Sequence, residues 1–135
     1  MHPSIVKRKL REGKPVLTAK VNFESPAIVE MMGMMGYDCV WICNEHLYPT
    51  DTRLDHLVTA ARAAGMDFLL RRNMSGYQDL LHPLEMGVHG FMIPRVTSAA
   101  YVRSVVRMVK FPPLGSRGLG GVNADADFGP LPLRE

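Results

Sequence analysis

Apolar residues gather in four short continuous runs, and after each the spacing changes to that of a helix. The runs occupy residues 15–22, 38–43, 66–71 and 88–94. Ser25 followed by Pro26 predicts a helix start, because Ser caps free N–H groups and Pro suits the first helical position. That helix carries Ile28, Val29, Met31, Met32 and Met35 and is expected to stop at Gly36. A cap at Thr50 or Asp51 opens the second, with Leu54, Leu57, Val58 and Ala61 on one face and a stop at Gly65. The third starts near Gly76, carries Tyr77, Leu80, Leu81 and Leu84, and ends at Met86-Gly87. Pro83 inside it predicts a kink or a restart. Thr97 or Ser98 caps the fourth, which carries Val102, Val105, Val106 and Val109 and ends at Phe111-Pro112-Pro113.

The runs begin near 16, 38, 66 and 88, a period of 22 to 28 residues. They are continuous rather than alternating, which predicts strands buried on both faces, as in a parallel sheet covered by helices. Strand-then-helix repeats build βαβ units. A doubly wound sheet and a (β/α)8 barrel both fit, and so does a small four-stranded α/β sandwich. After Pro113 comes a long Gly- and Asp-rich loop, residues 115–130, with no fifth apolar run behind it.

Composition narrows the class. Hydrophobic residues make up 47% of the 135, too many for a chain that is mainly disordered. No stretch approaches ~20 consecutive apolar residues, so no membrane span is expected. The amino terminus is basic but lacks the apolar core of a secretory signal. Net charge is +3. The single basic cluster, Lys7, Arg8, Lys9 and Arg11, reads as the solvated face of a short helix, and no nucleic-acid partner is expected. Cys39 and Cys43 stand four apart, ~13 Å along a strand, too far for a disulfide. Unpaired thiols fit a cytoplasmic location.

Chemistry in parallel α/β folds sits at the carboxyl ends of the strands. Those ends supply Asn22-Phe23-Glu24, Cys43-Asn44-Glu45-His46, Arg71-Arg72-Asn73 and Pro94-Arg95. A neutral His moves protons near pH 7, and an Arg holds a developing oxyanion. Together they are the minimum equipment for enolate chemistry on a keto acid. The plainer reading of His46 is a hydrogen-bonded loop residue. Arg71 ends an apolar strand, where an unpaired charge is costly, so a partner or ligand is expected. His56, His82, Cys39 and Trp41 read as surface or packing residues. The methionines flanking Gly33 read as adaptable core or subunit contact. Gly115, Gly118, Gly120 and Gly121 suggest close backbone approach to a ligand or neighbour. Asp125 and Asp127 read as solvated loop carboxylates rather than cation ligands.

Taken in order, several stretches resemble the HpcH/HpaI aldolase family of metal-dependent class II aldolases. They are Gly13-Lys14-Pro15-Val16-Leu17, Gly36-Tyr37-Asp38, Glu45-His46, Leu69-Leu70-Arg71, Leu84-Glu85-Met86-Gly87, Met92-Ile93-Pro94 and residues 111–118. The resemblance implies an α/β fold, the first four βα units of a (β/α)8 TIM barrel. Residues 1–135 would be the amino-terminal half of that aldolase/citrate-lyase-like domain, truncated. It implies a carbon–carbon lyase acting on a 2-oxo-4-hydroxy acid through a metal-bound pyruvate enolate, with Mg, Mn or Co. It implies a 2-oxo acid and an aldehyde as small-molecule partners, and a homo-oligomer, usually a hexamer.

By the same resemblance, His46 is the catalytic histidine, and Arg71 stabilises the enolate oxygen and orients the keto acid. Glu45 organises the water or metal shell, and Glu85 stands where an Asp associated with the histidine is often found. Arg117-Gly118 matches a turn near a substrate or subunit boundary. Two departures stand out. Cys43-Asn44-Glu45-His46 replaces the usual Asp-Gly-Glu-His, so a thiol stands where a fixed negative charge tunes the histidine. The family's metal carboxylates lie on later strands, beyond Glu135, so no metal ligand is expected in this chain, and the 135 residues alone are expected to be inactive. The rival readings are a non-catalytic half-barrel assembly or binding module and a citrate-lyase-like acyl-CoA lyase.

Overall fold

The computed structural model describes residues 3–47 and 49–129. Met1, His2, Tyr48 and Pro130 lie outside them, as do the last five residues. Each of the four runs contains a strand: β1 (Thr18–Val21), β2 (Cys39–Cys43), β3 (Asp67–Arg71) and β4 (Gly90–Met92). Each is followed by a helix: α2 (Pro26–Met34), α3 (Asp51–Ala63), α4 (Gln78–Met86) and α5 (Ala99–Val109). A further helix, α1 (Ile5–Arg11), precedes them, and a 3-10 turn covers Ala124–Ala126.

The caps resolve between the alternatives. Thr50 Oγ1 accepts from Arg53 N–H at 3.3 Å, and Ser98 Oγ accepts from Tyr101 N–H at 3.2 Å. Ser25 makes no side-chain cap bond, so Pro26 carries that helix start. Helix α4 passes through Pro83 without restarting. Pro83 is fully buried, and its packing there offsets the one N–H it cannot donate.

All strand pairs are parallel, in the order β1-β2-β3-β4. A doubly wound sheet reverses its strand order at a switch point. Here each strand lies beside its predecessor, and α2 packs on α3, α3 on α4 and α4 on α5. This is the winding of a (β/α)8 barrel over four of its units.

The two faces of the sheet differ. Val21, Val40, Ile42, Phe68 and Leu70 join Val29, Leu54, Leu57, Val58 and Ala61 of the helices in one core. Full burial of such side chains stabilises by about 1.5–3 kcal/mol each. The opposite, barrel-interior face stacks in layers set by the register: Thr18, Cys39 and Asp67; then Lys20, Trp41, Leu69 and Gly90; then Cys43, Arg71 and Met92. Burial on both faces holds for β2 and β3, whereas β1 and β4 are edges with exposed positions.

Helix α1 closes the amino end of the sheet. The buried carboxylate of Asp67 accepts from Ser4 Oγ–H (2.5 Å), Ile5 N–H (3.0 Å) and Val6 N–H (2.9 Å). Three oppositely polarised donors at a helix start suit a carboxylate. Asp38 accepts from Leu17 N–H at 2.9 Å and pairs with Lys9 Nζ at 2.6 Å. Lys9 therefore bridges to the sheet, while Lys7, Arg8 and Arg11 are solvated as expected.

Candidate active site

The carboxyl end of the sheet gathers its chemistry from β2 and β3. Cys43 and Arg71 are register partners at the ends of their strands. Beyond Cys43 the chain turns at once: Leu47 N–H donates to Cys43 O at 3.2 Å, and Asn44 N–H donates to Arg71 O at 2.6 Å. This turn holds Glu45 and His46 above the Cys43–Arg71 row.

Arg71 finds the partner its position demanded. Its Nη2 forms an ion pair with Glu45 Oε2. His46 Nε2 lies 3.4 Å from the same oxygen. Glu45 Oε2 is buried and has no aligned hydrogen bond among the described residues, so it is held by charge alone. The Glu45 side chain is 10% exposed, that of Arg71 29% and that of His46 69%. A buried carboxylate thus sits beneath a guanidinium and an imidazole that reach solvent. Cys43 Sγ, one carboxylate oxygen of Glu45 and one ring nitrogen of His46 all lie within 4.8 Å of one another.

Arg72, next in sequence, has a structural task. It pairs with Asp79 at 3.2 Å and Asp51 at 3.6 Å. Asp79 also accepts from Ser75 and Gly76 N–H at 2.7 and 2.9 Å. Burial pushes the Asp79 pKa up, but these two N–H groups and Arg72 outweigh it and hold the carboxyl below its ordinary value.

The structure does not bring Glu85, Arg117 and Gly118 to this cluster. Glu85 lies in the last turn of α4, which leads into the start of β4, and its carboxylate borders Gly120 and Asn123. Helices run antiparallel to the strands, so that turn is at the end opposite His46. Arg117 is buried, paired with Asp125 and stacked 4.7 Å over Phe111. It borders a 590 Å³ cavity beside Val88, His89 and Val105. Asp125 is accordingly an internal ion-pair partner and not a solvated carboxylate. Gly118 N–H donates to Tyr77 Oη at 2.7 Å, which ties the Gly-rich loop to α4. The close approach suggested by the glycines is intramolecular: a Cβ on Gly115 would stand 2.3 Å from Lys110 O.

Sequence reading missed the Asp67 anchor and the Tyr77 tie. An acidic residue inside an apolar strand was the available signal for the first, and no local pattern marks the second. His56 and His82 are exposed, and Cys39 is buried, as expected.

No family model matches the chain. A hydroxypyruvate/pyruvate aldolase of Delftia acidovorans is 32% identical over 85% of this chain and 43% of its own length. The crystal structure of an HpcH/HpaI aldolase from Desulfitobacterium hafniense superposes with a TM-score of 0.88 at 37% identity, over 96% of this chain and 50% of that one. In sequence and in fold, the chain is similar to HpcH/HpaI aldolases. It spans about half the length of the curated relatives it matches. The structure of the citrate synthase SbnG matches with a TM-score of 0.80 at 31% identity, over 84% of this chain and 46% of that one. Structures named as an aldolase and as a citrate synthase thus both share the four-unit fold of this chain.

Proposed function

We propose that residues 1–135 are the amino-terminal half of a carbon–carbon lyase that cleaves or forms a 2-oxo-4-hydroxy acid through a pyruvate enolate. The observation that carries this reading is the solvent-facing pair of Arg71 and His46 around the buried Glu45. Arg71 supplies planar donors for the carboxylate and oxyanion of a keto acid. Glu45 fixes its direction from below. His46 is exposed and free to turn, and it moves the proton that accompanies bond cleavage. Within the single chain, Glu85, Arg117 and Gly118 lie away from the Arg71–Glu45–His46 cluster and border the Gly-rich loop.

Co accepts nitrogen and sulfur donors, but the hard cations implied by the family resemblance, Mg and Mn, do not fit the residues of this chain. Such ions prefer oxygen donors, and the cluster at the strand ends contains a thiol and an imidazole. Their carboxylate ligands would come from the other half of the barrel. The small-molecule partners are a 2-oxo acid and an aldehyde. Exposed Phe23, Met31, Met34 and Met35 on and beside α2 support assembly of several copies, the hexamer of the family. Among the described residues no helix is long and apolar enough to cross a membrane, and two free buried thiols support a cytoplasmic setting.

Exchange of pyruvate methyl protons with solvent, followed by NMR in the complete barrel, tests the proposal. Arg71→Ala is expected to abolish exchange, and His46→Ala to depress retro-aldol turnover by about 100-fold or more. Exchange at the wild-type rate in Arg71→Ala removes that residue from the mechanism. The competing acyl-CoA reading predicts turnover of an acyl-CoA thioester in place of pyruvate.

A further inference from the structure

The misfit between this cluster and a hard cation has a positive side. We infer that Cys43, Glu45 and His46 form a binding site for a thiophilic divalent cation such as Zn²⁺, complete within this chain. The site does not depend on the aldolase reading, because all three ligands are present and its test is binding.

The ligand set is that of a three-residue zinc site. Zn²⁺ takes thiolate, imidazole and carboxylate in a tetrahedron, and three protein ligands leave a fourth position open. In such a tetrahedron the ligand atoms stand about 3.5 Å apart. Here they lie within 4.8 Å of one another, so a shift of about 1 Å closes the site. His46 can supply that shift, since it is exposed and sits in a turn.

The second observation is the state of Glu45. Its side chain is nine-tenths buried, and Oε2 has no hydrogen-bond partner among the described residues. Arg71 holds that oxygen by charge, which leaves the carboxylate with capacity for a cation. A thiolate and a carboxylate neutralise the 2+ charge, and Arg71 then stands beside the ion ready to balance an anion in the fourth position. Cys43 loses its proton to solvent as the metal–sulfur bond forms, so one proton is released per ion bound.

Cys39 is not an alternative ligand. It lies two layers below, fully buried, with its thiol pushed up to about 12 by burial and by Asp67 and Asp38. Binding would have a consequence for the chemistry above it. A metal on the imidazole occupies the nitrogen that moves protons, so Zn²⁺ and the hard cation would act in opposite directions.

The test is titration of the full chain with Co²⁺, read by the near-ultraviolet thiolate charge-transfer band, and with Zn²⁺ by calorimetry in two buffers. The expected result is one site, a thiolate band and one proton released. Cys43→Ala is expected to remove the band and weaken Zn²⁺ by more than about 100-fold, beyond what loss of an outer-sphere partner costs. His46→Ala changes an exposed side chain and keeps the fold. It is expected to weaken Zn²⁺ by more than about tenfold while the band persists at higher Co²⁺. Absence of a thiolate band in the wild type overturns the inference, as does a band that survives Cys43→Ala. So does Zn²⁺ affinity unchanged in His46→Ala. Pyruvate proton exchange is measured separately, so failure of the zinc site and failure of the lyase reading are distinguishable.

Discussion

At the amino end of the sheet, Asp67 receives three hydrogen bonds from Ser4, Ile5 and Val6, and His89 Nε2 stands 3.6 Å from it. At the carboxyl end, Glu45 is buried almost as deeply but is held by Arg71 through charge, with His46 Nε2 3.4 Å away and without an aligned hydrogen bond for Oε2. The residue types are similar and the burial comparable. The difference lies in satisfaction. Backbone N–H groups at a helix start cannot leave Asp67, so that carboxylate is spent on folding. The partners of Glu45 are side chains that reach solvent and can exchange it for a ligand.

The largest effect expected from this contrast is at Asp67. Asp67→Ala leaves three donors without their acceptor and detaches α1, at a cost of about 3 kcal/mol or more in urea unfolding. A cost below about 1 kcal/mol would mean that α1 does not depend on this carboxylate. Glu45→Gln is expected to cost less than about 1 kcal/mol, since Arg71 and His46 remain hydrated, yet to slow pyruvate proton exchange in the complete barrel. Equal stability losses at the two sites would erase the distinction between the ends.

The smallest effect concerns Asp38. Lys9, then the Leu17 N–H, hold its carboxyl below the ordinary value, against a raising effect of burial. A depressed carboxylate contributes stability that is present above its unfolded pKa, ~3.9. The contribution is lost as pH falls through the lower folded value. Lys9→Ala is therefore expected to flatten this part of the acid limb of the stability curve. Thermal melts between about pH 2 and pH 6 (about two units either side of that value) check it, and an unchanged acid limb would place the dependence elsewhere.

Local chemistry was legible in the sequence where it acts locally. Thr50 and Ser98 cap helices because their hydroxyls reach an N–H three residues on. The strands were legible because parallel burial leaves continuous apolar runs, although edge exposure in β1 and β4 was not. The need of Arg71 for a partner was readable from its place after an apolar strand. That the partner is Glu45 was not, because the two meet only once β2 and β3 are in register. Family resemblance placed Glu85 beside the histidine. The direction of α4 puts it at the end away from His46 of the same chain, a fact that depends on tertiary geometry rather than on neighbouring residues.

The anchoring of α1 also bears on how the chain folds during synthesis. Neighbouring strands pair in sequence order, so each βα unit can dock on its predecessor as it leaves the ribosome. Helix α1 is made before the sheet, and the carboxylate that receives it arrives 61 to 63 residues later. Helix α1 is thus seated after α2 and α3 have been made, and its docking marks the moment at which the third strand begins to emerge.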